Sequence, residues 1–132
     1  MMMSVCLLMG CLNEQTMTEK SNETLDQSVA IEAKEMTENF LEFKEVETVF
    51  LHNRLLVATQ LKQWDKWKRN KIEKELKKTL EKQLDVEKIY VSSDYKIFIE
   101  TKKLANNIKQ KEISRNEAHD AFQAIVVLLS RR

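Results

Sequence analysis

Cys6 and Cys11 are the only thiols in 132 residues, and both fall within the first eleven. The rest of the chain therefore has no disulfide framework and no paired thiols for a structural zinc site. Residues 1–12, M-M-M-S-V-C-L-L-M-G-C-L, form an apolar run far below the ~20 residues that span a bilayer. The run has the length of a secretory signal's apolar core, although no Lys or Arg precedes it. Leu8-Met9-Gly10-Cys11 resembles a bacterial lipobox, with Leu three residues before the cysteine and the chain's single glycine directly before it. A small residue is needed there because bulk beside the scissile bond would not fit the signal peptidase cleft. The chemistry expected is a thioether from Cys11 to diacylglycerol, with Cys11 as the mature N-terminus. The plainer alternative is an ordinary apolar N-terminus, and Gly10 favours lipidation over it.

Other chemistry is scarcer. An enzyme needs a nucleophile beside a base, or carboxylates held in a cleft. His52 and His119 are the only histidines, and neither has a ligand-like spacing to another His, Cys or carboxylate cluster. No metal site is expected; His52 reads as a solvated turn residue and His119 as a surface residue beside Asp120. Ser92-Ser93-Asp94 lacks the elbow glycine and partnered histidine of a serine hydrolase, and all three residues read as oxygens that cap a helix. With Gly10 as the only glycine and no proline, a glycine-rich phosphate loop is excluded. Neither a catalytic site nor a cofactor is expected.

The most suggestive binding feature is Trp64 and Trp67 among Lys66, Lys68, Arg69 and Lys71. Amphipathic tryptophans with bases suit an anionic lipid surface. The same types could stack on single-stranded nucleic acid, which an extracytoplasmic lipoprotein would rarely meet, so nucleic acid is not expected as a partner. The plainer reading has one tryptophan capping the core while the lysines solvate a helix.

These residues must be positioned by elements that the periodicity reveals. A net charge of +1 conceals an acidic stretch over residues 12–47 and a basic one over 62–82. Residues 12–27 are polar with few apolar anchors, and read as a flexible tether between a signal segment (1–11) and one domain (28–132). Within that domain a helix is expected from Ser28 to about Phe43, then strands over Val46–Leu51 and Arg54–Leu61 turning at His52-Asn53. A second helix follows over Trp64–Leu84 with Ile72, Leu76, Leu80 and Leu84 as its stripe, then a strand around Ile89 and Val91 that runs into a third helix. Ser114-x-x-Glu117 is a capping box that opens the last helix. The order helix–strand–strand–helix–strand–helix–helix makes an α+β fold with a small three-stranded mixed sheet. The first two helices are expected on one face, with the C-terminal pair extending the cover. The third strand, reached through a crossover helix, should run parallel to the second; beside which strand it lies is open.

The run I-Y-V-S-S-D over Ile89–Asp94, with Phe98 four residues on and L-A-N-N-I-K over Leu104–Lys109, resembles the C-terminal half of the YhcN/YlaJ sporulation lipoproteins. These are small membrane-tethered proteins of endospore-forming Gram-positive bacteria. The similarity is strongest over about residues 86–110 and rests on element order over 28–85. Where the family leads one to expect Gly and Pro after L-A-N-N-I-K, this chain has Gln110-Lys111-Glu112. The resemblance implies a non-enzymatic lipoprotein on the extracytoplasmic face of the cell or spore membrane, connected with spore formation or germination and with an unidentified protein partner. A second expectation is an oligomer-forming assembly module, because the same element order resembles the ring-building domains of sporulation and secretion channels. A hydrolase of wall or lipid is disfavoured by the missing nucleophile–base pair.

Overall fold

The computed structural model describes residues 25–131. The signal segment and nearly all of the tether, Cys11 included, lie outside them. Helix α1 (Ser28–Glu38) precedes a hairpin of β1 (Phe43–Leu51) and β2 (Arg54–Leu61). A 3-10 turn (Gln63–Lys68) leads into α2 (Arg69–Gln83), followed by β3 (Lys88–Ser92), α3 (Tyr95–Lys109) and α4 (Arg115–Ser130). The sheet order is β1-β2-β3, with β1 antiparallel and β3 parallel to β2. The third strand thus lies beside the second and runs with it, as a helical crossover requires.

The hairpin closes in two residues without glycine. His52 and Asn53 adopt φ of 50° and 59°, the left-handed pair of a type I′ turn, whose twist matches that of the strands. His and Asn are among the few non-glycine types enriched in that region. Leu51 then faces Arg54 across the ladder.

Side chains alternate across a strand, so β2 serves two cores. Leu55 and Val57 join Ile72, Leu76 and Leu80 of α2, Ala33 of α1 and Ile89 of β3. Leu56 and Ala58 join Ile97, Phe98 and Leu104 of α3 and Phe122 of α4. The C-terminal helices therefore do not extend the first helical layer; they build a second layer on the opposite face.

Three boundaries differ from the periodic reading. The first helix ends at Glu38, and Phe43 belongs to β1 opposite Leu61. Met36, Phe40 and Phe43 keep a helical spacing across the junction because one core accepts all three, with Phe40 and Phe43 ring centroids 5.8 Å apart. The expected helix from Trp64 begins instead as the 3-10 turn, and Leu84 is already extended.

Helix α1 is stitched to the outer edge of β1. The Gln27 side chain donates to the Phe50 carbonyl (2.7 Å) and accepts from its amide (2.9 Å), while Thr48 Oγ1 donates to the Ala30 carbonyl at 2.7 Å. At the far end of α3, the Lys111 amide bonds Ile108 O at 3.1 Å and the Glu112 amide bonds Asn107 O at 2.9 Å, the two bonds of a Schellman cap. Its left-handed residue is Lys111, at φ 58°, where a glycine is usual.

A non-glycine residue in that conformation costs about 1–2 kcal/mol. Lys111→Gly should therefore raise stability by about 0.5–1 kcal/mol in urea melts, after the greater unfolded-state freedom of glycine is counted. Leu56→Ala, in a side chain with no exposure, should lower it by about 2–5 kcal/mol.

Candidate functional site

The basic strip rides on the 3-10 turn and the first turn of α2. The stripe Ile72, Leu76 and Leu80 is buried and commits one side of the helix to the core. Lys66, Lys68, Arg69 and Lys71 are left exposed. Trp67 is 77% exposed, and Lys68 Nζ lies 4.9 Å from the centroid of its ring. Trp67 therefore does not cap the core. The side chain of Trp64 lies outside the described residues, as does Cys11. The strip presents four cations around one bare indole, a combination suited to an anionic, partly apolar surface.

An acid within the basic run adds a polar anchor to the orientation that the buried stripe gives α2. Glu73 Oε2 accepts from the Ser93 amide at 2.7 Å and from Ser93 Oγ at 2.5 Å. Ser93 is itself buried, so the two bonds are shielded from water and assisted by charge. The three oxygens expected to cap α3 divide their work. Only Asp94 caps, accepting from the Ile97 amide at 3.1 Å; Ser92 Oγ accepts from the Asp94 amide, and Ser93 serves Glu73. Glu73 was not recognisable as a partner in the sequence, where it resembles any acid among lysines. Its one signal is its place beside Ile72, at the margin of the buried stripe.

The histidines, 67 positions apart, meet. His52 Nδ1 and His119 Nδ1 are 3.0 Å apart, with ring centroids at 4.8 Å and planes inclined by 60°. Next to them Arg54 Nη1 donates to Gln123 Oε1 at 3.1 Å, and its guanidinium stands 4.8 Å from the centroid of the Phe122 ring. Partial burial of the His52 ring, then electrostatic coupling to the neighbouring His119 and the positive charges of Arg115 and Arg54, holds His52 below the usual histidine pKa. Both are the turn and surface residues expected, and their pairing is what the sequence did not show. The hairpin turn is docked on α4 through this pair.

A groove of about 590 Å³ runs between α1 and α3 along the β1 edge, lined among others by Leu25, Ala30, Glu47 and Ile108. Among the described residues, no group of three or more His, Cys, Asp or Glu could hold a metal ion, and no helix is long and apolar enough to cross a membrane.

The model of the sporulation lipoprotein YhcN/YlaJ family matches residues 11–126. No curated protein and no solved structure matches the chain.

The Glu73–Ser93 clamp should be measurable. Glu73→Ala should cost about 2–3 kcal/mol, because it removes a charge-assisted acceptor and leaves the Ser93 donors unpaired. Glu75→Ala, two residues along on the exposed side, should change urea stability by less than about 0.5 kcal/mol.

Proposed function

This chain belongs to the YhcN/YlaJ family of sporulation lipoproteins, and from that premise we propose that it is a non-enzymatic protein held on the extracytoplasmic face of a bacterial or spore membrane by acylated Cys11. Its α+β domain would then touch the anionic lipid surface through Trp67 and the basic strip. The observation that carries the reading is the start of the family match at Cys11, the residue that the Leu8-Met9-Gly10-Cys11 motif marks for lipid. Support for a non-enzymatic role comes from Ser93 and Asp94, whose side chains are employed in holding α2 and opening α3.

Magnitudes assign the two contacts different weights. Each base near an anionic surface contributes about 1 kcal/mol, so Lys66, Lys68, Arg69 and Lys71 together give about 4 kcal/mol, the equivalent of a roughly 1 mM affinity. That is too weak to hold a free protein. A tether of this length would, however, supply an effective concentration of the order of mM, so a domain already anchored would rest on the surface for much of the time. The acyl chains hold firmly because each buried methylene adds about 0.8 kcal/mol and two or three chains are attached together.

Geometry permits both contacts at once. The domain begins beside Phe50, at the hairpin end of the sheet, whereas the 3-10 turn with Trp67 follows Leu61 at the other end of β2. The eight residues of β2 separate these ends by about 25 Å. From Cys11 to Leu25 there are fourteen residues of chain, which can extend to at most about 46–50 Å.

Fractionation of the native host tests the anchor. Cys11→Ser should move the protein from the membrane pellet to the soluble fraction, while Cys6→Ser should leave it in the pellet. Retention of Cys11→Ser after a high-salt wash sinks the reading. For the surface contact, sedimentation of the Cys11→Ser full chain with vesicles containing anionic lipid should show weak binding that fades as salt shortens the Debye length below ~8 Å. Trp67→Ala should weaken it further, and binding indifferent to salt and lipid charge would eliminate the electrostatic account.

A further inference from the structure

We propose that His52 and His119 form a two-imidazole site for a divalent transition metal ion, clipping the β1–β2 turn to α4. The spacing of the ligand atoms carries the argument. A zinc–imidazole bond is about 2.0–2.1 Å, so two nitrogens on one ion at angles of 90–109° stand about 2.9–3.4 Å apart. The two Nδ1 atoms stand 3.0 Å apart, within the range for neighbouring ligands of one ion.

The site is held by the fold, not by the histidines alone. His52 is fixed in the type I′ turn at φ 50°. His119 sits early in α4, behind the reciprocal capping box of Ser114 and Glu117. The Arg54–Gln123 bond and the stacking of Arg54 on Phe122 join the same two elements independently. The cost of bringing two ligands together from distant parts of the chain is thus met by folding.

Proton accounting is simple. In the neutral pair, one Nδ1–H donates to the lone pair of the other Nδ1. Metal binding needs both lone pairs, so the donor ring must carry its proton on Nε2 instead. This is a tautomeric shift through water, which reaches the exposed His52, and no net proton is gained or lost.

The neighbouring charges narrow the choice of ion. Calcium and magnesium are poor partners for nitrogen ligands, and the positive charges of Arg54 and Arg115 near His52 oppose any divalent ion, so only one that bonds strongly to imidazole would be held. The site is left to ions that bond strongly to imidazole, with Cu²⁺ first and Ni²⁺ and Zn²⁺ behind it. No third protein ligand completes a group among the described residues, so the other positions fall to water or to an anion, which the arginines would favour.

The test uses the full chain carrying Cys6→Ser and Cys11→Ser, so that no thiol competes for metal. CuCl₂ and then ZnCl₂ are titrated calorimetrically into this parent and into versions that also carry His52→Asn, which tolerates the left-handed turn, or His119→Gln. The expected result is one Cu²⁺ per parent chain, bound at least about tenfold more tightly than in either variant, and a metal-dependent rise in Tm that both variants lose. In the parent itself, Cu²⁺ should broaden the imidazole proton resonances of both histidines at substoichiometric amounts, which keeps the test valid should a variant fold poorly. Equal affinity in parent and variants, absence of Cu²⁺ binding by the parent, or broadening confined to one histidine would overturn the proposal.

Discussion

A sheet of three strands has one interior strand, and here that strand must supply both cores. Leu55, Leu56, Val57, Ala58 and Thr59 of β2 are all fully buried. Because both faces are apolar, polarity cannot fix the register as it does in a half-exposed strand. Volume and the turn do so instead. Leu55 and Val57 meet α2, Leu56 and Ala58 meet α3, and a slip by one residue would exchange these pairs. The two-residue turn at His52-Asn53 forbids that slip, since a type I′ turn determines which residues face each other. Neither helical layer can be lost without stripping one face of the same strand, so the two cores should melt together.

The sheet's two ends are specialised by what the strands deliver to them. At the hairpin end the chain enters through Gln27, and the turn meets α4 through the histidines and Arg54. At the opposite end β2 opens into the 3-10 turn, where no apolar stripe is required and Trp67 stays out of the core. The buried stripe of α2 turns its bases to solvent, and the Glu73–Ser93 pair pins the same helix to the start of α3. An acid that a count of charges would have set against the basic surface thus helps to hold the helix that carries it.

Most of the element plan was legible because each period is local. The stripe at Ile72, Leu76 and Leu80, the Ser114 capping box and the His52-Asn53 turn need only neighbours in sequence to be read. Boundaries between elements that share a core were not legible, as the run from Met36 to Phe43 shows, since burial is the only thing periodicity reports. Pairings over long separations were also hidden. Nothing in the residues around His52 points to His119, or in those around Glu73 to Ser93, because such contacts exist only once the sheet has set the positions of the helices. Cys11 is the reverse case: its motif is read wholly in sequence and lies outside the described residues.

Gln27 has a consequence beyond local stability. Its amide holds both the donor and the acceptor of Phe50 on the outer edge of β1, the groups that a neighbouring strand would otherwise take up. Chains tethered through Cys11, as proposed above, would share a plane and meet with similar orientation, so an open strand edge would be presented repeatedly to like edges. At Phe50 the Gln27 amide already occupies the donor and the acceptor that such a neighbour would need.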